Sequence, residues 1–122
     1  MAQVLTSVGK GWLCDKLTGV VSTTGQFVGW GTGAGTAAVG DTGLFTEASE
    51  SRMTGTVSTI GTGSAASYQC VATLTANGTK TITNVGNFTA LSAGSLILHQ
   101  DFTGIAVNAN DTITFTLTLQ PT

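Results

Sequence analysis

Thr112-Ile-Thr-Phe-Thr-Leu-Thr-Leu119 alternates without a break, with Ile113, Phe115, Leu117 and Leu119 on one side and Thr112, Thr114, Thr116 and Thr118 on the other. Successive side chains of a β-strand point to opposite faces, so this period of two predicts a strand with one face on a core and one face outward. Working back along the chain, Ser67-Tyr-Gln-Cys-Val-Ala-Thr-Leu-Thr75 and Lys80-Thr-Ile-Thr83 flank Asn77-Gly78. Asn-Gly readily takes the two positive φ values of a type I′ turn, and a β-hairpin is expected there. Gln26–Trp30, Met53–Ile60, Ser95–Phe102 and Gly104–Val107 read as further strands, separated by turn residues at intervals typical of all-β domains. The expected fold is all-β: a two-sheet antiparallel β-sandwich of jelly-roll or related Greek-key type.

Gly31–Gly40 is too rich in glycine for regular structure and reads as a loop. Ser7–Leu17 differs from everything after it. Val8, Trp12 and Leu13 fall at helical spacing, with Ser7 as N-cap and Gly19 as the stop, while Gly9 and Gly11 argue for an extended arm instead. The organisation expected is therefore residues 1–19 as a short helix or arm and 20–122 as one sandwich domain.

Only four Lys and Arg and six Asp and Glu occur in 122 residues, 8% against about a quarter in an ordinary globular chain. Mean hydropathy is +0.31. A surface so poor in charge favours association, which marks the chain as an assembly component. The net charge of −2, with Lys10, Lys16, Arg52 and Lys80 scattered, excludes nucleic acid as an expected partner, because phosphate affinity rises with the number of cations engaged. No apolar run is long enough to cross a membrane as a helix. The start lacks the basic and apolar regions of a secretory signal, so synthesis in the cytoplasm is expected, with Cys14 and Cys70 as reduced thiols.

Chemistry-bearing patterns are sparse. Ser95, His99 and Asp101 lie at i, i+4 and i+6 along one strand, a row that does not converge as a nucleophile, base and orienting acid must. His99 is expected to be structural. Glu47 and Glu50 would be neighbours in one helical turn, with Arg52 able to neutralise either; the cluster reads as a solvated or subunit-facing charge group. Asp41, Asp101 and Asp111 stand beside turn residues, and no Asp-x-Asp-x-Asp calcium loop occurs. Gly29-Trp-Gly-Thr-Gly-Ala-Gly35 lacks the Gly-Lys-Ser/Thr of a phosphate loop. Neither an enzyme activity nor a cofactor or metal is expected. Trp12, Trp30, Phe27 and Tyr68 read chiefly as core residues and otherwise as a stacking surface for a sugar or partner.

Val28-Gly-Trp-Gly-Thr-Gly33, Asp41-Thr-Gly-Leu44, Ser51-Arg-Met-Thr-Gly-Thr56, Lys80-Thr-Ile-Thr-Asn-Val-Gly86, Phe102-Thr-Gly-Ile-Ala-Val107 and the closing Thr-alternating strand carry a resemblance. In their order and spacing the chain resembles the capsid cement or decoration proteins, virion structural proteins of tailed bacteriophages. One departure is Gly86-Asn-Phe-Thr89, where such proteins often read Gly-Leu-Phe-Asp. The resemblance implies a sandwich seated on the outside of an icosahedral head, bridging capsomers, without catalytic residues. The partners it implies are the major capsid protein and further copies of the chain, as a dimer or trimer. Trp12, Leu13, Leu17, Trp30, Glu47, Glu50 and Arg52 are the candidate interface residues. The alternative expectation is a tail-fibre or spike module for host recognition, with Trp30 and the glycine-rich loop as a carbohydrate-stacking platform.

Overall fold

The computed structural model describes residues 3–19 and 25–119. Two antiparallel sheets face each other. Strands β1 (Gln3–Leu5), β2 (Phe27–Gly31), β3 (Met53–Thr54), β6 (Lys80–Phe88) and β7 (Leu96–Val107) form one, in the order β1-β7-β6-β2-β3. Strands β4 (Thr56–Ile60), β5 (Ser67–Thr75) and β8 (Thr112–Leu119) form the other, in the order β4-β5-β8. Between them lies a core that includes Val28, Trp30, Cys70, Leu74, Ile82, Val85, Leu98 and Leu117, with Ile113 and Phe115 packed at its margin. The sandwich and the alternation along β8 are as the sequence predicts: Thr112, Thr114, Thr116 and Thr118 are exposed and Leu117 is buried.

The expected hairpin across Asn77-Gly78 does not form. β5 pairs with β4 and β8, β6 pairs with β2 and β7, and the turn carries the chain from one sheet to the other. Neither Asn77 nor Gly78 takes a positive φ. Local groups outcompete the type I′ geometry: the Ala76 amide donates to Asp111 O and the Asn77 amide to a Glu50 carboxylate oxygen, at 2.8 and 2.9 Å. With β6·β7 nested inside β5·β8 on opposite sheets, the connectivity is that of a folded-over Greek key.

Two other boundaries differ from expectation for related reasons. Met53–Ile60 is not one strand but two, because the chain changes sheets at Gly55. That corner has no room for a side chain, since a Cβ would stand 2.8 Å from Cys70 Sγ and 2.9 Å from Val71 O. Ser95–Phe102 and Gly104–Val107 are instead one strand, β7, that runs through Gly104 with a register shift opposite Ile82–Asn84.

The amino-terminal segment contains both anticipated forms in sequence. β1 adds to the edge of β7, and helix α1 (Ser7–Thr18) follows and packs on β7. Its N-cap is Thr6 rather than Ser7: the buried Thr6 hydroxyl accepts from Gly9 N at 2.9 Å and donates to Leu96 O at 2.5 Å, tying the helix start to the sheet. Gly19 ends the helix at φ 79°, as expected. Among the described residues no helix is long and apolar enough to cross a membrane.

Replacing Gly55 by Val should push Cys70 and the β5 backbone out of place. A loss of about 3 kcal/mol or more in urea unfolding is expected, the range of overpacked core sites.

Candidate functional site

The outer face of the five-stranded sheet carries a floor of small residues. Register places Gly29 beside Gly86 and His99, and Gly31 beside Asn84 and Asp101. Segment 41–48 lies directly on this floor; a Cβ at Gly31 would be 2.5 Å from Phe45 O and one at Gly33 2.8 Å from Phe45 C. The glycine spacing that superficially suggests a phosphate cradle is thus the condition for a loop to lie flat on a sheet.

Polar groups then fix the loop. The Asn84 side chain, fully buried, accepts from Phe45 N at 3.0 Å and donates to Phe45 O at 3.1 Å. His99, also fully buried, meets Asn84 Oδ1 through Nε2 at 3.0 Å and Asp41 Oδ2 through Nδ1 at 2.7 Å, with its ring 4.7 Å from that of Phe45. Asp41 additionally accepts from Ala38 N, forming the turn expected of it. Asp111 does the same with Asn108 N. Asp101 does not sit in a turn: it lies within β7, where its carboxylate accepts from Ala37 N at 2.6 Å. The structure therefore separates the row Ser95, His99 and Asp101 into different tasks, and His99 takes its carboxylate from the loop.

Of the seven candidate interface residues, Trp30, Glu50 and Arg52 turn inward, while Glu47 stays exposed with its carboxylate bonded to Arg52. Trp30 is 1% exposed, stacks edge-on against Phe115 and donates from Nε1 to Glu50 Oε1 at 3.1 Å. This corrects the stacking-platform expectation, because a ring in the core offers no face to a sugar. Glu47 and Glu50 do not share a helical turn. Glu47 takes a two-pronged pair from Arg52, Nε at 2.8 Å and Nη2 at 3.0 Å, while the Arg52 guanidinium lies 3.4 Å over the Phe88 ring and donates to Ala90 O and Ala93 O. Glu50 instead accepts from Lys80 Nζ at 2.5 Å. Side-chain exposure is 8% for Arg52 and for Glu50 but 35% for Glu47, so Arg52 and Glu50 are internal clamps while Glu47 is the solvated member of the cluster.

The remaining three lie on α1. Leu17 is 80% exposed, whereas Trp12 and Leu13 are half-buried over an apolar cavity of about 230 Å³ lined also by Val57, Tyr68, Ile97 and Leu119. A second opening, about 510 Å³, runs along one side of the sandwich between Phe102 and Ile105 of β7 and Ile113 and Phe115 of β8. Among the described residues no three His, Cys, Asp or Glu side chains gather as a metal site.

Asn84 is the residue that sequence reading passed over. Its signal was present: an amide in an otherwise Thr- and Val-rich strand requires a partner for every buried polar atom. No family model, curated protein or solved structure matches the chain.

Burial pushes the Glu50 carboxyl up, but donors from Lys80, the Asn77 amide, its own amide and Trp30 together outweigh it and hold the group at about 2, below its ordinary 4.5. The unfolded chain therefore takes up this proton first as pH falls. The stability from Glu50 is fully present above about 4.5 and is lost as pH drops toward about 2. Glu50→Gln should cost about 2 to 4 kcal/mol at neutral pH and flatten the acid limb of a stability-against-pH curve. Burial likewise raises the Cys70 thiol to about 11, while Cys14 is exposed. Maleimide should label Cys14 alone in the native protein, and both thiols after denaturation, as counted by intact mass.

Proposed function

We propose that the chain is a structural component of a tailed-bacteriophage virion. It acts as a cement or decoration protein that seats on the outside of the head and bridges capsomers of the major capsid protein. The observation that carries this reading is the distribution of charge. Arg52, Lys80, Glu47, Glu50, Asp41, Asp101 and Asp111 all bond within the chain, and strands β4, β5 and β8 contain no charged residue. An exterior of that kind suits a protein whose surface is covered by neighbours. The sequence motifs that resemble cement proteins supply the location.

The physical task is simple. A protein that binds the assembled shell and not free subunits shifts the equilibrium toward the shell. Many symmetry-related contacts of modest strength then add through avidity. Leu17, exposed on α1 beside the half-buried Trp12 and Leu13, is the apolar group best placed to meet the shell.

The test is addition of the purified chain to heads that lack it, with occupancy read by cryo-electron microscopy and a copy count by mass spectrometry of intact virions. Hundreds of copies per particle and density on the head lattice are expected, and Leu17→Asp should lower occupancy about tenfold without changing the unfolding midpoint. A handful of copies, or density on the tail alone, contradicts the reading.

A further inference from the structure

We infer that Asn77 is a self-modifying site: the Gly78 main-chain nitrogen closes on the Asn77 side chain, ammonia leaves, and position 77 becomes an aspartyl or isoaspartyl residue. The Lys80 ammonium assists at the Asn77 carbonyl oxygen. The reaction needs water and nothing else, and the inference does not depend on where the protein resides.

Five asparagines occur in the chain, and only Asn77 precedes a glycine. Ring closure brings the nitrogen of the following residue against the side-chain carbon, so a Cβ on that residue obstructs it and a glycine does not. Space is open as well, since a Cβ at Gly78 would meet nothing within 4 Å. The attacking nitrogen must also be unbonded, because an N–H committed to an acceptor has to give up that bond before it loses its proton. The residues on either side are tied, Asn77 N to a Glu50 carboxylate oxygen at 2.9 Å and Thr79 Oγ1 to Asn108 Oδ1 at 3.2 Å. Between them the Gly78 N–H has no partner among the described residues. The other asparagines lack these conditions. Asn84 and Asn87 are fully buried in β6, which is paired on both sides; Asn108 is followed by alanine; and the amide after Asn110, that of Asp111, donates to Asn108 O at 3.0 Å.

Lys80 supplies the electrophilic half. Its Nζ donates to Asn77 Oδ1 at 3.0 Å, while Asn77 Nδ2 donates to the exposed Ser49 hydroxyl at 3.1 Å. Gly78 N gives its proton to hydroxide or water and bonds to Asn77 Cγ; the carbonyl electron pair moves onto Oδ1, where the ammonium meets the developing negative charge. The C=O then reforms and the Cγ–Nδ2 bond breaks, with Nδ2 taking a proton from water and leaving as ammonia. Water opens the resulting succinimide at either carbonyl, which restores the aspartyl main chain or routes it through the former side chain. At neutral pH the net change is one amide and one water converted to one carboxylate and one ammonium ion. The new carboxylate arises beside Glu50, which takes its own charge partner from the same Lys80 Nζ at 2.5 Å. Two carboxylates then share one cation where the chain crosses between the sheets, and the crossover is loosened.

Peptide mapping by mass spectrometry tests this on the full chain, incubated folded at mildly alkaline pH and well below the unfolding midpoint of each variant. In the wild type, Asn77 is expected to gain the mass of an amide-to-acid exchange before any other asparagine, as a mixture of aspartyl and isoaspartyl products. Gly78→Ala should slow that conversion about tenfold. Lys80→Met should slow it about fivefold, and Lys80→Arg, which keeps a cation there, should restore most of the rate. Loss of Lys80 also leaves Glu50 without its cation, and a looser fold by itself would speed the reaction, so slowing is not what general damage produces. In urea, where Lys80 no longer meets Asn77, wild type and Lys80→Met are expected to convert at equal rates. A folded wild type in which another asparagine converts first, or in which Asn77 stays intact while the urea-unfolded chain converts, overturns the inference. So does a folded Lys80→Met variant that converts as fast as the wild type, or a Lys80→Met effect of the same size in urea.

Discussion

The Asn84 carboxamide clipped onto the Phe45 backbone is the contact on which the rest of the molecule leans. It lies on a glycine-floored face, where no side chain holds the loop away from the sheet. Lying flat there, the loop brings Asp41 to His99 and carries the chain past Glu47 and Glu50 at the points where Arg52, Lys80 and Trp30 can reach them. Phe45 packs against the His99 ring and Phe88 under the Arg52 guanidinium, so these two groups are shielded on one side by an aromatic face. A second layer of polar structure is thus built on the outside of the five-stranded sheet, opposite the apolar core on its inside.

The charge of the molecule is organised by that layer. Arg52, Lys80 and Glu50, which in most proteins would keep the surface wet, are here directed inward, and Lys10, Asp15 and Lys16 are gathered on α1. The three-stranded sheet is left with threonine, serine, glutamine and aliphatic side chains on its outer face. Threonine keeps such a face hydrated, yet it sets up no repulsion against an approaching neighbour. Low net charge, a charge-free three-stranded sheet and an open flank between β7 and β8 therefore go together in this fold.

The parts of this architecture visible in the sequence are those set by side-chain period. β8 announces itself because each of its apolar residues faces the core and each threonine faces out, and Gly19 stops α1 through its backbone alone. The Asn77-Gly78 hairpin was misread because turn propensity is local, whereas the partners that redirect this turn, Glu50 and Asp111, lie 27 residues before Asn77 and well beyond it in β8's approach. Glu47, Glu50 and Arg52 are legible as a cluster, but not the burial of Glu50 and Arg52 within it, since burial of a charge depends on the partners that meet it. The glycine run showed only that a side chain was excluded. That the excluding object was the chain's own loop, and not a phosphate, is a fact of tertiary packing.

Amide hydrogen exchange of the loop tests the account most directly. If the loop is held by Asn84 against a glycine floor, the amides of Thr32, Gly33, Phe45 and Ala48 are bonded within it or to the sheet and should exchange as slowly as those of β2 and β6. In Asn84→Ala they should speed up selectively while β5 and β8 stay protected. Exchange of these four amides at the rate of an open loop in the wild-type protein would contradict the account.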